Sequence, residues 1–210
     1  MAIKPRRTCN APPSGVAETE VFCGPSKRCR RSSLAHRALS DLVKRPANPG
    51  DIPTITAIYG EYVVNNGGSF ETVTPDEAEM LRRMTALTAG DYPYFVVERD
   101  ERIVGFGFAG PYRQQPVYRN TVEDSVYLAP DVRGQGIGGA LLRILIEESA
   151  AGGFRQMIAV IGGAENVASV RLHKAAGFTE VGTLRDVGFR REWFSTVIMQ
   201  PRHQLFKLKG

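Results

Sequence analysis

Residues 133–139 read RGQGIGG and run straight into the apolar stretch ALLRILIEESAA. A glycine-rich turn that opens a helix presents backbone N–H groups with no side chains in the way, and the helix dipole favours negative charge there. The chemistry this suggests is phosphate binding, and two forms of it fit the same letters. Gly134, Gly136 and Gly139 satisfy G-x-G-x-x-G, the dinucleotide fingerprint. Arg133, Gly136 and Gly138 satisfy R-x-x-G-x-G, where a cation and close backbone approach suit the pyrophosphate of an acyl-CoA. A glycine-rich turn that holds nothing is the third reading.

The surroundings separate these. A dinucleotide site has its first glycine at the tip of a strand and an acid about 20 residues on, at the end of the next strand. Here PDVR stands between strand and glycine, and the next strand ends in Ile161 and Gly162, with Glu165 only in the loop beyond. No second βαβ unit follows. The acyl-CoA pattern accounts for the cation, the glycines and the free helix N-terminus together.

Just upstream, YRNTVEDSVYLA reads as a strand ended by Pro130. Read as a strand over 119–128, alternation puts Arg119, Thr121 and Glu123 on one face. A carboxylate there could take a proton from an amine, and an arginine could pair with a substrate carboxylate or phosphinate. Downstream, His173 sits on the short helical stretch ENVASVRLHKAAG; the other histidines, His36 and His203, fall outside the predicted core. A lone histidine on such a helix is as readily structural as it is catalytic.

These residues need a scaffold. DLVKRP predicts a short strand, and IPTITAIYGEYVVNN a helix with Pro53 in its first turn and Ile55, Ile58, Tyr59 and Tyr62 as its apolar stripe. Thr74 is the expected cap of a second helix, PDEAEMLRRMTALTA. PYFVVE and RIVGFGFA flank RDE as a hairpin, and GPYRQQPVYRN is a loop expected to lie over the site as a lid. The helix at 136–151 buries Ile137, Leu141, Leu142, Ile144 and Leu145; QMIAVIG is a buried strand, and Gly177 stops the short helix after it. FTEVGTLR and FSTVIMQ close the chain as an antiparallel pair. The order predicts an α/β sheet protein whose middle strands come as hairpins rather than βαβ units.

The 210 residues, 42% hydrophobic and 23% charged, suit one domain with an appendage. The net charge of +5 is unevenly held: residues 1–40 carry eight Lys/Arg against two acids, while residues 41–210 carry 19 basic and 20 acidic side chains. The body therefore offers no electrostatic case for a nucleic-acid partner. Cys9, Cys23 and Cys29 all lie in the first 40 residues, an odd number that implies no disulfide framework; with His36 they make an irregular Cys₃His set, and no metal is expected. We divide the chain into a basic, disordered extension (1–40), a domain (41–200) and a tail (201–210). With no apolar run of membrane-spanning length and no signal sequence, a cytoplasmic protein without a membrane partner is expected.

VYLAPDVRGQGIGGALL resembles the central motif of the GNAT superfamily of acyl-CoA N-acyltransferases, and the resemblance extends over about residues 41–200. VIGGAENVASVRLHKAAGF is similar to the superfamily's next motif, which makes Asn166 and Ser169 the residues lining the CoA arm. YRNTVEDSVYL and VGFRREWFS resemble the phosphinothricin and methionine sulfoximine acetyltransferase branch. The resemblance implies a GNAT fold: a mixed, mostly antiparallel, twisted central sheet flanked by helices. It implies acetyl-CoA as co-substrate, held by Val126, Tyr127, Leu128 and by Arg133, Gly134, Gln135, Gly136, Ile137, Gly138 and Gly139.

It also implies Glu123 as the base, backbone N–H groups around Tyr127 and Leu128 as an oxyanion site, and His173 in the place where much of the superfamily has a tyrosine facing the leaving sulfur. Phe70, Glu71, Arg119 and Thr121 fall on the substrate side, with Tyr112, Phe189 and Trp193 shaping the amine pocket. A small amino-acid-like amine and, by analogy, a homodimer follow. The body has no cysteine, so transfer is expected to be direct, within a ternary complex. Several branch members carry an acid shortly after the tryptophan, where this chain has Phe194 and Ser195. A protein N-terminus or lysine as acceptor, and a CoA-binding module without catalysis, are the alternatives.

Because residues 1–40 supply no core strand and no phosphate-loop residue, their removal is expected to leave turnover and thermal stability unchanged. Comparing the melting temperature and kcat of the full chain and of residues 41–210 tests this; a large loss in either would mean that the extension packs on the domain.

Overall fold

The hairpin of β2 (Tyr94–Arg99) and β3 (Arg102–Pro111) sets the frame. Its two-residue turn has Asp100 and Glu101 both at positive φ, the twist that a tight antiparallel hairpin prefers. Along β3 the faces divide cleanly. Val104 and Phe106 are fully buried on one face, while Gly105 and Gly107 leave the other face bare. A Cβ at Gly107 would lie 2.8 Å from the Ser125 carbonyl oxygen and 3.1–3.2 Å from Leu145 and Leu141. Glycine there lets a helix lie close on the sheet.

The computed structural model describes residues 41–64, 68–163, 166–190 and 192–205. The extension at 1–40 with its cysteines and His36, the loop residue Glu165 and the end of the tail lie outside the described residues. The chain runs β1 (Val43–Pro46), α1 (Ile52–Val64), α2 (Glu77–Ala89), β2, β3, β4 (Thr121–Leu128), α3 (Ile137–Ala151), β5 (Gln156–Gly162), α4 (Val167–Ala175), β6 (Phe178–Phe189) and β7 (Trp193–Pro201). The seven strands form one sheet in the order β1-β2-β3-β4-β5-β7-β6. All neighbours are antiparallel except β4 and β5. No described helix is long and apolar enough to cross a membrane.

The mixed, mostly antiparallel sheet agrees with the sequence expectation; three details differ. First, β4, α3 and β5 are a βαβ unit: β5 runs parallel to β4, and a parallel neighbour requires a crossover, which α3 supplies. Second, Asp76 rather than Thr74 caps α2. Its side chain accepts the Glu79 N–H at 2.8 Å, and an aspartate so placed also suits the positive helix end. Third, Arg119 is not on β4. Pro116 starts a 3-10 turn, Arg119 caps it in helical conformation, and the strand begins only at Thr121.

Two core clusters flank the sheet. Ile55, Tyr59, Met80 and Met84 of α1 and α2 pack with Tyr94, Phe106 and Tyr127. Leu142 and Leu145 of α3 pack with Val122, Met157 and Met199. Arg45 of β1 pairs with Asp51 through two hydrogen bonds of 2.7 and 2.8 Å and also reaches Glu98, which ties the edge strand to the start of α1. The buried Asp51 carboxyl is held below its ordinary range chiefly by that arginine.

The close approach at Gly107 makes it intolerant of even one methyl group. Gly107→Ala is expected to cost about 1–3 kcal/mol of unfolding free energy, the usual range for overpacking. Urea denaturation of the variant measures it; a neutral result would mean that α3 can shift freely on the sheet.

Candidate active site

β4 and β5 pair at only three positions, Thr121↔Gln156, Val122↔Met157 and Glu123↔Ile158. Beyond Ile158, β5 pairs instead with β7, from Ala159↔Met199 to Gly162↔Thr196. From Asp124 onward β4 therefore has no strand neighbour on that side, and the sheet opens into a cleft of about 600 Å³. The amide directions follow from the pairing with β3. Ala129 donates its N–H to Val104 O, so by alternation Tyr127 also points its N–H at β3, while Val126 and Leu128 point theirs into the gap.

This revises the expected oxyanion site. The Leu128 N–H is bonded to Tyr62 Oη at 2.9 Å, and the same hydroxyl donates to Leu128 O at 3.1 Å. Tyr127 is a core residue whose ring meets Tyr59, Tyr62 and Phe106 at 5.0 Å each. The Val126 amide is the one aimed into the opening that Tyr62 does not take.

At one end of the cleft stands the glycine turn. Gly134 and Gly136 have φ of +75° and +86°, and Gly136 is the N-terminal cap of α3 in left-handed conformation. Side-chain-bearing residues adopt that backbone only at a cost, so glycine here is a conformational requirement. Gly134, Gly136, Gly138 and Gly139 all line the cleft, as does Arg133. The Arg133 guanidinium lies 4.5 Å from the centre of the Tyr62 ring, a cation–π contact. Opposite, Asn166 caps α4 by accepting the Ser169 N–H at 3.2 Å, and both residues line the cleft. Positive φ at two glycines, a helix N-terminus and an arginine make a cradle with the chemistry of a pyrophosphate site.

Glu123 is the last β4 residue before the gap, and its side chain is on the wall. Burial, with a smaller push from the neighbouring Asp124 charge, raises its carboxyl to about 7. Such a group is roughly half ionised at neutral pH, which suits a general base. His173 also borders the cleft, but it is buried and both ring nitrogens are engaged: Nε2 lies 2.9 Å from Asp124 Oδ2, and Nδ1 lies 2.8 Å from Ser169 O. Burial would push the imidazole down; the hydrogen bond to Asp124, its charge and the Ser169 carbonyl outweigh this and hold it above its ordinary value.

The structure separates the remaining expected site residues. Phe70 lines the cleft: its ring lies over Gly162, where a Cβ would come within 2.9 Å, and 6.2 Å from Phe194. Phe194 in turn occupies the space that a side chain at Gly188 would fill. Glu71 is turned away, accepting from Tyr59 Oη and from Arg83 of α2. Gln135 is held by Arg99 and bonds Asp131 O, and Ile137 is fully buried. Neither they nor Thr121 and Arg119 line the cleft.

The 110–120 loop contributes no lining residue either; Tyr112 packs edge-on to Tyr118. Phe189 and Trp193 stand largely exposed at the β6–β7 tip, 5.3 Å apart. Sequence reasoning missed Asp124, Tyr62 and Arg190, which donates to Ser69 O and Glu71 O and so fixes the Phe70 loop. Asp124 left a signal: it is an acid on the face of β4 that Val122, Val126 and Leu128 make apolar. Among the described residues no group of His, Cys, Asp and Glu has the arrangement of a metal site.

Comparison with known proteins agrees with this geometry. Residues 55–178 match the family model for the acetyltransferase (GNAT) family. A phosphinothricin N-acetyltransferase of Alcaligenes faecalis is 45% identical over 157 residues, 74% of this chain and 80% of that protein. A phosphinothricin acetyltransferase of Sinorhizobium meliloti, solved in complex with AcCoA, superposes with a TM-score of 0.75 at 39% identity, covering 81% of this chain and 95% of that one. A ribosomal-protein-alanine N-acetyltransferase of Brucella melitensis has a TM-score of 0.73 at 35% identity, over 75% and 98% of the two chains. With the splayed β4–β5 pair, the glycine turn and these similarities together, the chain belongs to the acetyltransferase (GNAT) family.

Proposed function

We propose that the protein transfers acetyl from acetyl-CoA to the amino group of a small amino-acid-like substrate of the phosphinothricin or methionine sulfoximine type, by direct attack within a ternary complex. The observation that carries this is Glu123, a half-buried carboxyl raised to about 7, on the wall of the cleft that ends in the phosphate cradle. Acetyl-CoA supplies the activated thioester. The glycine turn with Arg133 would hold its pyrophosphate, and the Val126 amide would donate to the thioester oxygen as it gains charge. Glu123 takes the proton from the substrate ammonium; the amine nitrogen then bonds to the carbonyl carbon as the carbon–sulfur bond breaks.

A second reading, transfer to a protein N-terminus, is supported by the similarity to the Brucella enzyme and by the absence of the 110–120 loop from the cleft wall. Thiol release with free amino acids, phosphinothricin, methionine sulfoximine and alanine-initiated peptides separates the two.

Glu123→Gln is expected to lower kcat by about 10²–10⁴-fold with acetyl-CoA still bound, and to abolish the acidic limb of kcat/KM near pH 7. It should also alter stability in a definite sense. A carboxyl raised from 4.5 to about 7 by folding contributes stability that is present below 4.5 and lost as pH rises through 7. The amide loses nothing, so relative to wild type the variant gains about 1–3 kcal/mol between those pH values. Turnover and thermal melts measured from pH 4.5 to 8.5 give both quantities, and wild-type turnover in the variant would rule Glu123 out as the base.

Gly136→Val tests the cradle: it places a β-branched residue at φ +86° where phosphate must approach the backbone. The KM for acetyl-CoA should rise strongly and the amine KM much less. An equal rise in both would point to general disruption and not to a phosphate site.

A further inference from the structure

The face of β4 that packs towards α3 and α4 carries Val122, Asp124, Val126 and Leu128. Asp124 is the only acid on it, and its side chain is 1% exposed; the His173 side chain is 5% exposed. The two meet at 2.9 Å, Nε2 to Oδ2, while the other carboxylate oxygen has no hydrogen-bond partner among the described residues. A buried carboxylate with one bare oxygen depends on its counter-ion. On the far side of the imidazole, Nδ1 faces the Ser169 carbonyl, which can only accept. Both ring nitrogens therefore point at acceptors, and the arrangement is satisfied by an imidazolium. The Ser169 hydroxyl also lies 3.4 Å from Nδ1, farther than the carbonyl, and Phe178 of β6 lies edge-on to the ring at 5.1 Å.

This leaves His173 no nitrogen with which to protonate a departing thiolate. It leaves Asp124 one residue from Glu123, on the opposite face of the strand. The titratable side chains that share the cleft with Glu123 are Tyr62 of α1, Asp124 and Tyr127 of β4, Arg133 of the glycine turn, and Arg171 and His173 of α4. Across the strands, Glu123 faces Gly110 of β3 and Ile158 of β5, neither of which titrates.

We propose that Asp124, paired with His173, is a positioning residue for the transfer: its carboxylate, fixed on the opposite face of the strand one residue from Glu123, assists that residue in taking the substrate proton, and His173 serves as the counter-ion of Asp124 instead of as the acid for the leaving thiolate. The inference rests on the reading of Glu123 as the base. The one charge that adds to burial in raising the Glu123 carboxyl is that of Asp124. Burial comes first, so removing the charge should lower Glu123 only part of the way towards its ordinary value.

The test uses the full chain labelled with ¹³C at glutamate carboxyls and ¹⁵N in the imidazoles, Glu123 being assigned by its absence in Glu123→Gln. In wild type both His173 nitrogens should be protonated at pH 7; a neutral tautomer there overturns the proposal without any mutation. In Asp124→Asn the Glu123 titration midpoint should fall by about 1 pH unit, the size of a like-charge effect at this range, and the acidic limb of kcat/KM should move with it. A folded Asp124→Asn protein whose Glu123 midpoint stays put overturns the proposal and leaves Glu123 as the base, because a purely structural ion pair would change stability and not that midpoint. Wild-type turnover in Glu123→Gln overturns both. If Asp124→Asn does not fold, the His173 nitrogen shifts decide alone.

Discussion

A β-strand exposes two rows of hydrogen-bonding groups, and a buried row without partners is costly. β4 satisfies one row along its whole length against β3 and the other for only three residues against β5. The rest of the structure is arranged around that shortfall. β5 can leave β4 because β7 takes over its pairing at Ala159, and β7 can do so because β6 covers its other edge. Tyr62 relieves one of the exposed amides from the side of α1. What remains is a wedge in the middle of a sheet, with strand amides on one wall and the N-termini of α3 and α4 at its ends.

The wedge also explains why acid–base groups collect there. Glu123 and Asp124 are consecutive residues at the point of divergence, and alternation sends them to opposite faces. Both are removed from water, but their environments differ. Glu123 has burial and a like charge against it, and is raised; Asp124 has an imidazole at hydrogen-bond distance. Two adjacent carboxylates thereby meet different surroundings, one a half-buried strand position beside a like charge and the other a hydrogen-bonded imidazole.

Much of this was legible in the chain. Strong periodicity located every helix and strand, and the glycine turn with Arg133 marked the phosphate end. Alternation placed Glu123 on a face of the strand, and the family resemblance marked it as the base. The parts that misled depended on tertiary context. Where β4 begins was decided by the turn at Pro116, which removed Arg119 from the face it was assigned to. The 110–120 loop was placed over the site from its position in the sequence, and it contributes no residue to the cleft wall. Glu71 was placed on the substrate side by the family resemblance, but its carboxylate is bonded to Arg83 and Tyr59. Asp124 was readable in principle, as an acid on an apolar face that must find a partner, and only the register against α4 identified His173 as that partner.

The Phe70 loop is anchored from three directions: Gly162 receives the Phe70 ring, Phe194 closes over it, and Arg190 holds the loop carbonyls. None of these anchors belongs to the glycine turn or to the open edge of β4. The two halves of the cleft are thus built from different materials, main chain at the glycine turn and the open edge of β4, side chains around Phe70. Mutation rewrites side chains freely and main-chain geometry hardly at all. On the function proposed above, a lineage with this architecture can change which amine it accepts through the Phe70 loop and the β6–β7 hairpin while its donor machinery is inherited intact.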